Sequence, residues 1–394
     1  MIGILFVDDD PNILDGLRRM LRPMRQEWEM TFASSGSEAL AVLEEMVIDV
    51  IVSDMKMPGM DGAQLFEIVR HSHPGIVRII LSGYSEKEMV MRSVGSCHQY
   101  LSKPCEPEAL KATVSRVCDL RDLLTDEHLR HLISQLPTVP SLPLLYGDLI
   151  DELAKQEPST GKIGEIVKKD IGMTVKILQL VNSAFFGLRR TISDSTEAVE
   201  LLGLDTISSL TLGLGVISQF ESQASGSFFA EIWAHSIAVG ILAHKIALME
   251  DKATANEAFT GGLLHDLGKV VLNANLPQDY KQVLELMRND GLSSCEAERQ
   301  VFDATHMEVG AYLLGLWGLP TAVVQAVAFH NSPLDFPVDS FSATTAVHAA
   351  NAIQHFSTAD RSTTEDPNYD LDYLGRLGLL HRTPFWQEKC LAAQ

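Results

Sequence analysis

VSDMKMPGMDG, residues Val52–Gly62, is the stretch that decides the fold of the first third of the chain. It follows the start of an apolar run, Ile48–Ser53, and carries that run directly into a carboxylate, Asp54. Reading outward, further short apolar runs sit at Ile2–Val7, Glu29–Ala33, Val77–Leu81 and His98–Leu101. Amphipathic stretches lie between them: Ile13, Leu14, Leu17 and Leu21 in one, Ala39, Leu40, Leu43 and Met46 in another. Spacings of three and four residues mark helices with one buried face. Strands alternating with helices imply parallel pairing through right-handed crossovers. Five such units predict a doubly wound α/β sheet of flavodoxin-like order, with its site at the carboxyl ends of the strands.

From about Glu106 the pattern turns helical and stays so. Leu110, Val114, Val117, Leu120 and Leu124 follow at helical spacing, which reads equally as an amphipathic helix packed on the sheet or as that helix running on toward a proline-rich joint at Leu136–Pro143. Beyond the joint, helical patterns run to about Phe356, which predicts an all-α second domain; Ser357–Asp370 is polar and reads as a loop. The expected division is 1–120, a helical linker at 121–135, a helical domain at 136–356 and a C-terminal tail at 357–394. The net charge of −21 supplies no cationic footprint, so direct DNA binding is not expected. No apolar run is long and uninterrupted enough for a membrane span, and the N-terminus does not read as a signal peptide. The five cysteines contain no CxxC pair and read as reduced thiols of a cytoplasmic protein.

Chemistry-bearing residues fall at the strand ends. Asp8 and Asp9 follow the first strand, Asp54 the third, Ser82 the fourth and Lys103 the fifth. In a doubly wound sheet these positions converge on one rim. Carboxylates crowded there repel one another unless a hard cation binds, and magnesium fits that need. A carboxylate beside such an ion can attack a phosphoryl group, while a lysine and a hydroxyl stabilise its oxygens. By themselves, Asp8–Asp10 would read as an acidic turn capping the helix that starts at Pro11. Taken together, FVDDDP (6–11), VSDMKMPGMDG, LSG (81–83) and YLSKP (100–104) make residues 1–120 similar to the receiver domain of two-component response regulators. The resemblance implies Asp54 as phosphoacceptor, with Asp8, Asp9, Asp54 and the Lys56 carbonyl around Mg2+. It also implies Ser82 as the switch hydroxyl, Lys103 as the phosphate-binding lysine, Tyr100 as the switch aromatic and a cis Lys103–Pro104 bond. The phosphodonor would be a sensor histidine kinase.

In the helical part, histidines punctuate apolar helices: His235, the His265–Asp266 pair, His306 and His330. A lone histidine there is usually a satisfied core residue, but a buried aspartate must find a partner. Two imidazoles and a carboxylate can share a transition metal such as zinc, manganese or iron. LPTVPSLP (136–143), KKDIGMTVKILQLVNSAFFG (168–187), AVELLGL (198–204), GGLLHDLGK (261–269) and GLWGLP (315–320) together resemble the HDOD domain, a relative of the HD phosphohydrolases. That family's hydrolytic relatives carry an aspartate where this chain has Asn351, and a Gly-Tyr-Pro segment where it has His330-Asn331-Ser332-Pro333. The resemblance therefore implies a vestigial metal site and an output through protein–protein contact with a downstream signalling protein. A metal-dependent phosphohydrolase or cyclic-dinucleotide phosphodiesterase, and a nucleotide sensor, are the alternatives. NSAFFG reads as a helix end and turn. A homodimer through receiver surfaces or the linking helix is left open.

Overall fold

The computed structural model describes residues 1–82, 96–136, 148–182, 190–207, 226–358 and 367–391, apart from single positions at 104, 106, 125, 150, 154, 156, 205, 206 and 338. The chain divides into two compact units, one containing Met1–Val139 and the other built largely from Ile192–Leu314 and Leu319–Gln394.

The first unit alternates β1 (Ile2–Val7), α1 (Pro11–Met20), β2 (Trp28–Ala33), α2 (Gly36–Glu45), β3 (Val50–Asp54), α3 (Gly62–Ser72), β4 (Val77–Ser82) and β5 (Gln99–Ser102). All pairings are parallel, and the strand order is β2-β1-β3-β4-β5, the flavodoxin-like order expected. Every residue of β3 and β4 is buried, as a sheet covered on both faces requires. The order reverses between β1 and β3, so Asp8 and Asp54 leave adjacent strands at the topological switch point. Two details of the deciding stretch hold that edge in place. The Asp61 side chain caps α3 by accepting from the Gln64 backbone N–H at 2.8 Å. Gly62 lies so close to β3 that any Cβ would stand 2.3 Å from the Asp54 carbonyl oxygen.

The linking helix is not continuous. α4 (Pro107–Leu123) ends and α5 (Glu127–Gln135) starts afresh, because the Asp126 carboxylate accepts from the Leu129 N–H at 2.7 Å and makes an N-cap. Its C-terminal carbonyls meet a buried cation. Arg78, 2% exposed on β4, donates to the carbonyls of Ser96 (2.6 Å), Ile76 (2.9 Å) and Ser134 (2.8 Å). His98 Nδ1 accepts from the Arg78 backbone N–H, so its proton is on Nε2 and goes to Ser134 O at 3.0 Å. Burial first, and Arg78 second, hold His98 well below its ordinary pKa, in the neutral form. α5 thus belongs physically to the first unit.

The second unit is helical, with no strand among the described residues: α6 (Thr160–Lys168), α7 (Ile171–Val181), α8 (Ser195–Leu202), α9 (Gly226–Glu250), α10 (Ala255–Leu264), α11 (Leu267–Asn275), α12 (Pro277–Asp290), α13 (Ser294–Phe302), α14 (His306–Leu316), α15 (Thr321–Phe329), α16 (Ala343–Thr358), α17 (Leu371–Arg376) and α18 (Thr383–Leu391). α9 packs against α10 and α16, and α10 against α15. The window Glu231–Glu250 of α9 is long and apolar enough to cross a membrane, and half of it is buried inside the protein. The expected tail needs correction. Tyr373, Leu374, Trp386 and Cys390 are fully buried against Val239, Ile246, Ala350 and Ile353, so α17 and α18 complete this core. Residues 359–366, in the polar stretch read as a loop, lie outside the described residues, as do 137–143 of the proline-rich joint and 183–187 of NSAFFG. Among the described residues no disulfide joins Cys97, Cys105, Cys295 and Cys390.

Candidate functional site

At the rim of the first unit, Asp8 and Asp54 are buried and Asp9 is exposed, and their carboxylates lie close enough together to hold one cation. Asp10, the third aspartate of the acidic run, caps α1 instead, accepting from the Asn12 N–H at 2.8 Å. Lys103 Nζ stands 2.7 Å from Asp8 Oδ2 and 2.7 Å from Asp54 Oδ1. Burial disfavours its charge, but the hydrogen bonds and charges of the two carboxylates outweigh burial and hold the ammonium above the usual lysine pKa. One lysine offsets one of three carboxylates, so the rim retains the excess negative charge that a divalent ion would take up. Ser82, 3% exposed, ends β4 beside it, and its carbonyl accepts from the Lys103 N–H at 2.8 Å. The side chain of Tyr100 and the Lys103–Pro104 bond lie outside the described residues.

In the second unit all five predicted residues come together. Gly268 makes this possible: a Cβ there would fall 1.9 Å from the His306 carbonyl oxygen, so α11 and the start of α14 touch backbone to backbone. Asp266 thereby reaches His306 across two helices. The cluster has two halves with different hydrogen-bond chemistry. In one, His235 Nε2 lies 3.1 Å from Asn351 Oδ1 and 3.2 Å from His265 Nε2. His265 gives its Nδ1 proton to Gly262 O at 2.6 Å, so a proton on His235 Nε2 serves both acceptors. Asn351 in turn donates to Asn331 Oδ1 at 3.2 Å, which an aspartate could not do. This half is closed by hydrogen bonds.

The other half is not. His306 Nδ1 is 2.6 Å from Glu298 Oε2, and His330 Nδ1 is 2.9 Å from Val327 O. Both protons point away from the cluster, leaving both Nε2 lone pairs inside it. The separations are 3.4 Å between the two Nε2 atoms, 3.4 Å from His306 Nε2 to Asp266 Oδ1 and 4.0 Å from His330 Nε2 to Asp266 Oδ1. The point equidistant from the three atoms lies about 2.1 Å from each, the length of a zinc–imidazole or zinc–carboxylate bond. Asp266 Oδ1 accepts no directed hydrogen bond, although Lys269 Nζ lies 2.8 Å from it and bonds Oδ2 at 2.9 Å. The donor set and its spacing fit a borderline divalent ion.

Electrostatics keep these ligands ready. Burial, above all, lowers His265 to about 3 and drives His330 well below its ordinary value, so both are neutral at physiological pH. Burial works against the charge of Asp266, but His265 and Lys269 outweigh it and hold the carboxyl well below the usual range. A cleft of about 480 Å³ opens beside the cluster, lined by Phe228, Tyr280, Lys269, Asn351 and His355 among others. Sequence reading missed Lys269, Glu298 and His355. Lys269 stood in view at i+3 from Asp266 inside GGLLHDLGK. Glu298 had no signal, because it reaches His306 across a helix–helix turn.

Family models identify both parts of the chain. Residues 4–115 match the response regulator receiver domain, and residues 139–333 match the HDOD domain. The chain is a response regulator with an HDOD domain. An uncharacterized protein of Treponema pallidum is 25% identical over 51% of this chain and 39% of its own length. The hydrogenase transcriptional regulatory protein HoxA of Cupriavidus necator is 36% identical over 32% of this chain and 26% of its own. This response regulator thus spans well under half the length of these curated relatives. Among solved structures, the MmoQ response regulator of Methylococcus capsulatus aligns with a TM-score of 0.48 and 20% identity, over 64% of this chain and 98% of that one. Receivers in general take their phosphoryl group from a histidine kinase and use Mg2+.

Proposed function

We propose that Asp54 accepts a phosphoryl group from a sensor histidine kinase and that the HDOD domain delivers the output through contact with a downstream signalling protein in the cytoplasm. The observation that carries the first part is Lys103, poised 2.7 Å from both Asp8 and Asp54 at the switch point of the sheet. A magnesium ion held by Asp8, Asp9, Asp54 and the Lys56 carbonyl would draw charge from the phosphoryl oxygens. An Asp54 carboxylate oxygen attacks phosphorus, the phosphorus–nitrogen bond of the phosphohistidine breaks, and the departing imidazole takes a proton from solvent. Lys103 then exchanges its carboxylate partner for a phosphoryl oxygen, and Ser82 closes on another. Tyr100 follows as the switch aromatic. Incubation of the full chain with acetyl phosphate and Mg2+ should label wild type and leave Asp54→Asn unlabelled; equal labelling of both would defeat the assignment.

For the helical domain, the closed hydrogen-bond chain through Asn351 supports a binding and scaffolding role over turnover. His306, His330 and Asp266 would hold one transition-metal ion, whose chemistry there is to cross-link three helices. Metal analysis of the full chain by mass spectrometry should find about one zinc, iron or manganese per chain, lost in Asp266→Asn. Partner capture with phosphorylated and unphosphorylated protein tests the output: identical captured proteins in the two states would remove receiver control.

A further inference from the structure

We infer that Glu298 is the positioning residue of the HDOD ion site, fixing the tautomer and direction of His306; the inference rests on the ion reading above. Glu298 is a fully buried carboxylate, a costly thing to place in a core without compensation. Its compensation comes mainly from one residue. Oε2 accepts from the His306 backbone N–H at 2.8 Å and from His306 Nδ1 at 2.6 Å, while the Tyr280 hydroxyl lies 3.4 Å from Oε1. The chain arranges this with a left-handed turn. Asp303, at φ 52°, ends α13 and reverses the backbone, so that a carboxylate one turn back from the end of α13 faces the first residue of α14.

Two consequences follow from the same oxygen. The backbone bond satisfies one of the N–H groups that the first turn of α14 leaves without an intrahelical partner. The side-chain bond places a proton on Nδ1 and turns Nε2 toward Asp266 and His330. A carboxylate on the far nitrogen also makes the near nitrogen a better donor to a metal. An amide oxygen there can accept both bonds but lacks the carboxylate's charge, so Glu298→Gln keeps the cap and removes the charge that strengthens the near nitrogen.

The experiment uses the full chain, stripped with chelator and titrated with zinc against a chromophoric competitor. Wild type should bind, and Glu298→Gln should bind about 10- to 100-fold more weakly, with an unchanged melting temperature in the stripped state. Equal zinc affinity for both overturns the role of Glu298 and leaves the ion site standing. No zinc binding by wild type overturns the ion reading, and this inference with it. Should the glutamine variant fail to fold, nitrogen-15 spectra of histidine-labelled wild type decide the matter: a proton on Nδ1 of His306 supports the assignment, and a proton on Nε2 alone overturns it.

Discussion

Lys103 touches two carboxylates at 2.7 Å while a third, Asp9, shares their corner of the rim. It therefore competes electrostatically with any cation that binds there. Lys103→Met should raise Mg2+ affinity about threefold to tenfold, since one positive neighbour is gone, and isothermal titration reads this directly. The same variant should weaken the coupling between phosphorylation and output, because no ammonium then follows the new phosphoryl oxygens. In the helical domain Asn351 is the informative residue. It accepts from His235 and donates to Asn331, so its two amide atoms are both in use. Asn351→Asp keeps the acceptor, loses the donor and adds a charge beside His235 and His265. Metal content should rise from about one ion per chain toward two; an unchanged content would mean that the hydrogen-bonded half resists an ion even with a carboxylate present.

Among the elements, β4 and α5 depend on each other. Arg78 and His98 both end on the Ser134 carbonyl near the last turn of α5, where a helix presents the negative end of its dipole. Arg78→Ala should cost about 2–3 kcal/mol, since charge-assisted bonds to several buried carbonyls disappear. Amide hydrogen exchange should accelerate through Glu127–Gln135 before any other helix of the first unit. His98 carries a pH dependence as well. Its folded pKa lies well below the unfolded value of about 6.5, so the unfolded chain takes up the proton first. Stability contributed by the neutral ring is present above about pH 6.5 and falls by up to about 1.4 kcal/mol per pH unit below it. Urea unfolding at pH 7 and pH 5.5 should show a smaller loss in His98→Gln than in wild type.

The elements also show what could be read in advance. The five strands, their order and the rim residues were legible because period-two and period-3.6 patterns and the acid–hydroxyl–lysine spacing all agree locally. The break between α4 and α5 was not, because leucines and valines continue the helical spacing up to Leu124 while Asp126 ends it by a side-chain bond. The five HDOD residues were legible as types, but not the difference between their two halves, which depends on which ring nitrogen carries each proton.

For the molecule as a whole, the C-terminal helices are the part where composition misled. Polar residues around 357–370 suggested an ending, yet Trp386, buried completely some residues later, packs among Val239, Ile246 and Ala350. Its indole N–H donates to Glu250 at 2.8 Å, the last residue of α9. Trp386→Ala should cost about 3–5 kcal/mol in the second unit, seen as an earlier thermal transition. Acetyl phosphate labelling at Asp54 should persist in that variant, since the receiver's own core does not include this residue.

The bond from Arg78 to Ser134 bears on where the chain can be cut. A receiver excised at the end of α4, where sequence similarity fades, would take one of the carbonyls from the buried Arg78 guanidinium and the carbonyl acceptor from His98 Nε2–H. Extending the fragment to Leu136 restores both. Of two such fragments, the longer should express better and melt higher, although the added residues lie outside the receiver family match and carry none of the phosphorylation chemistry.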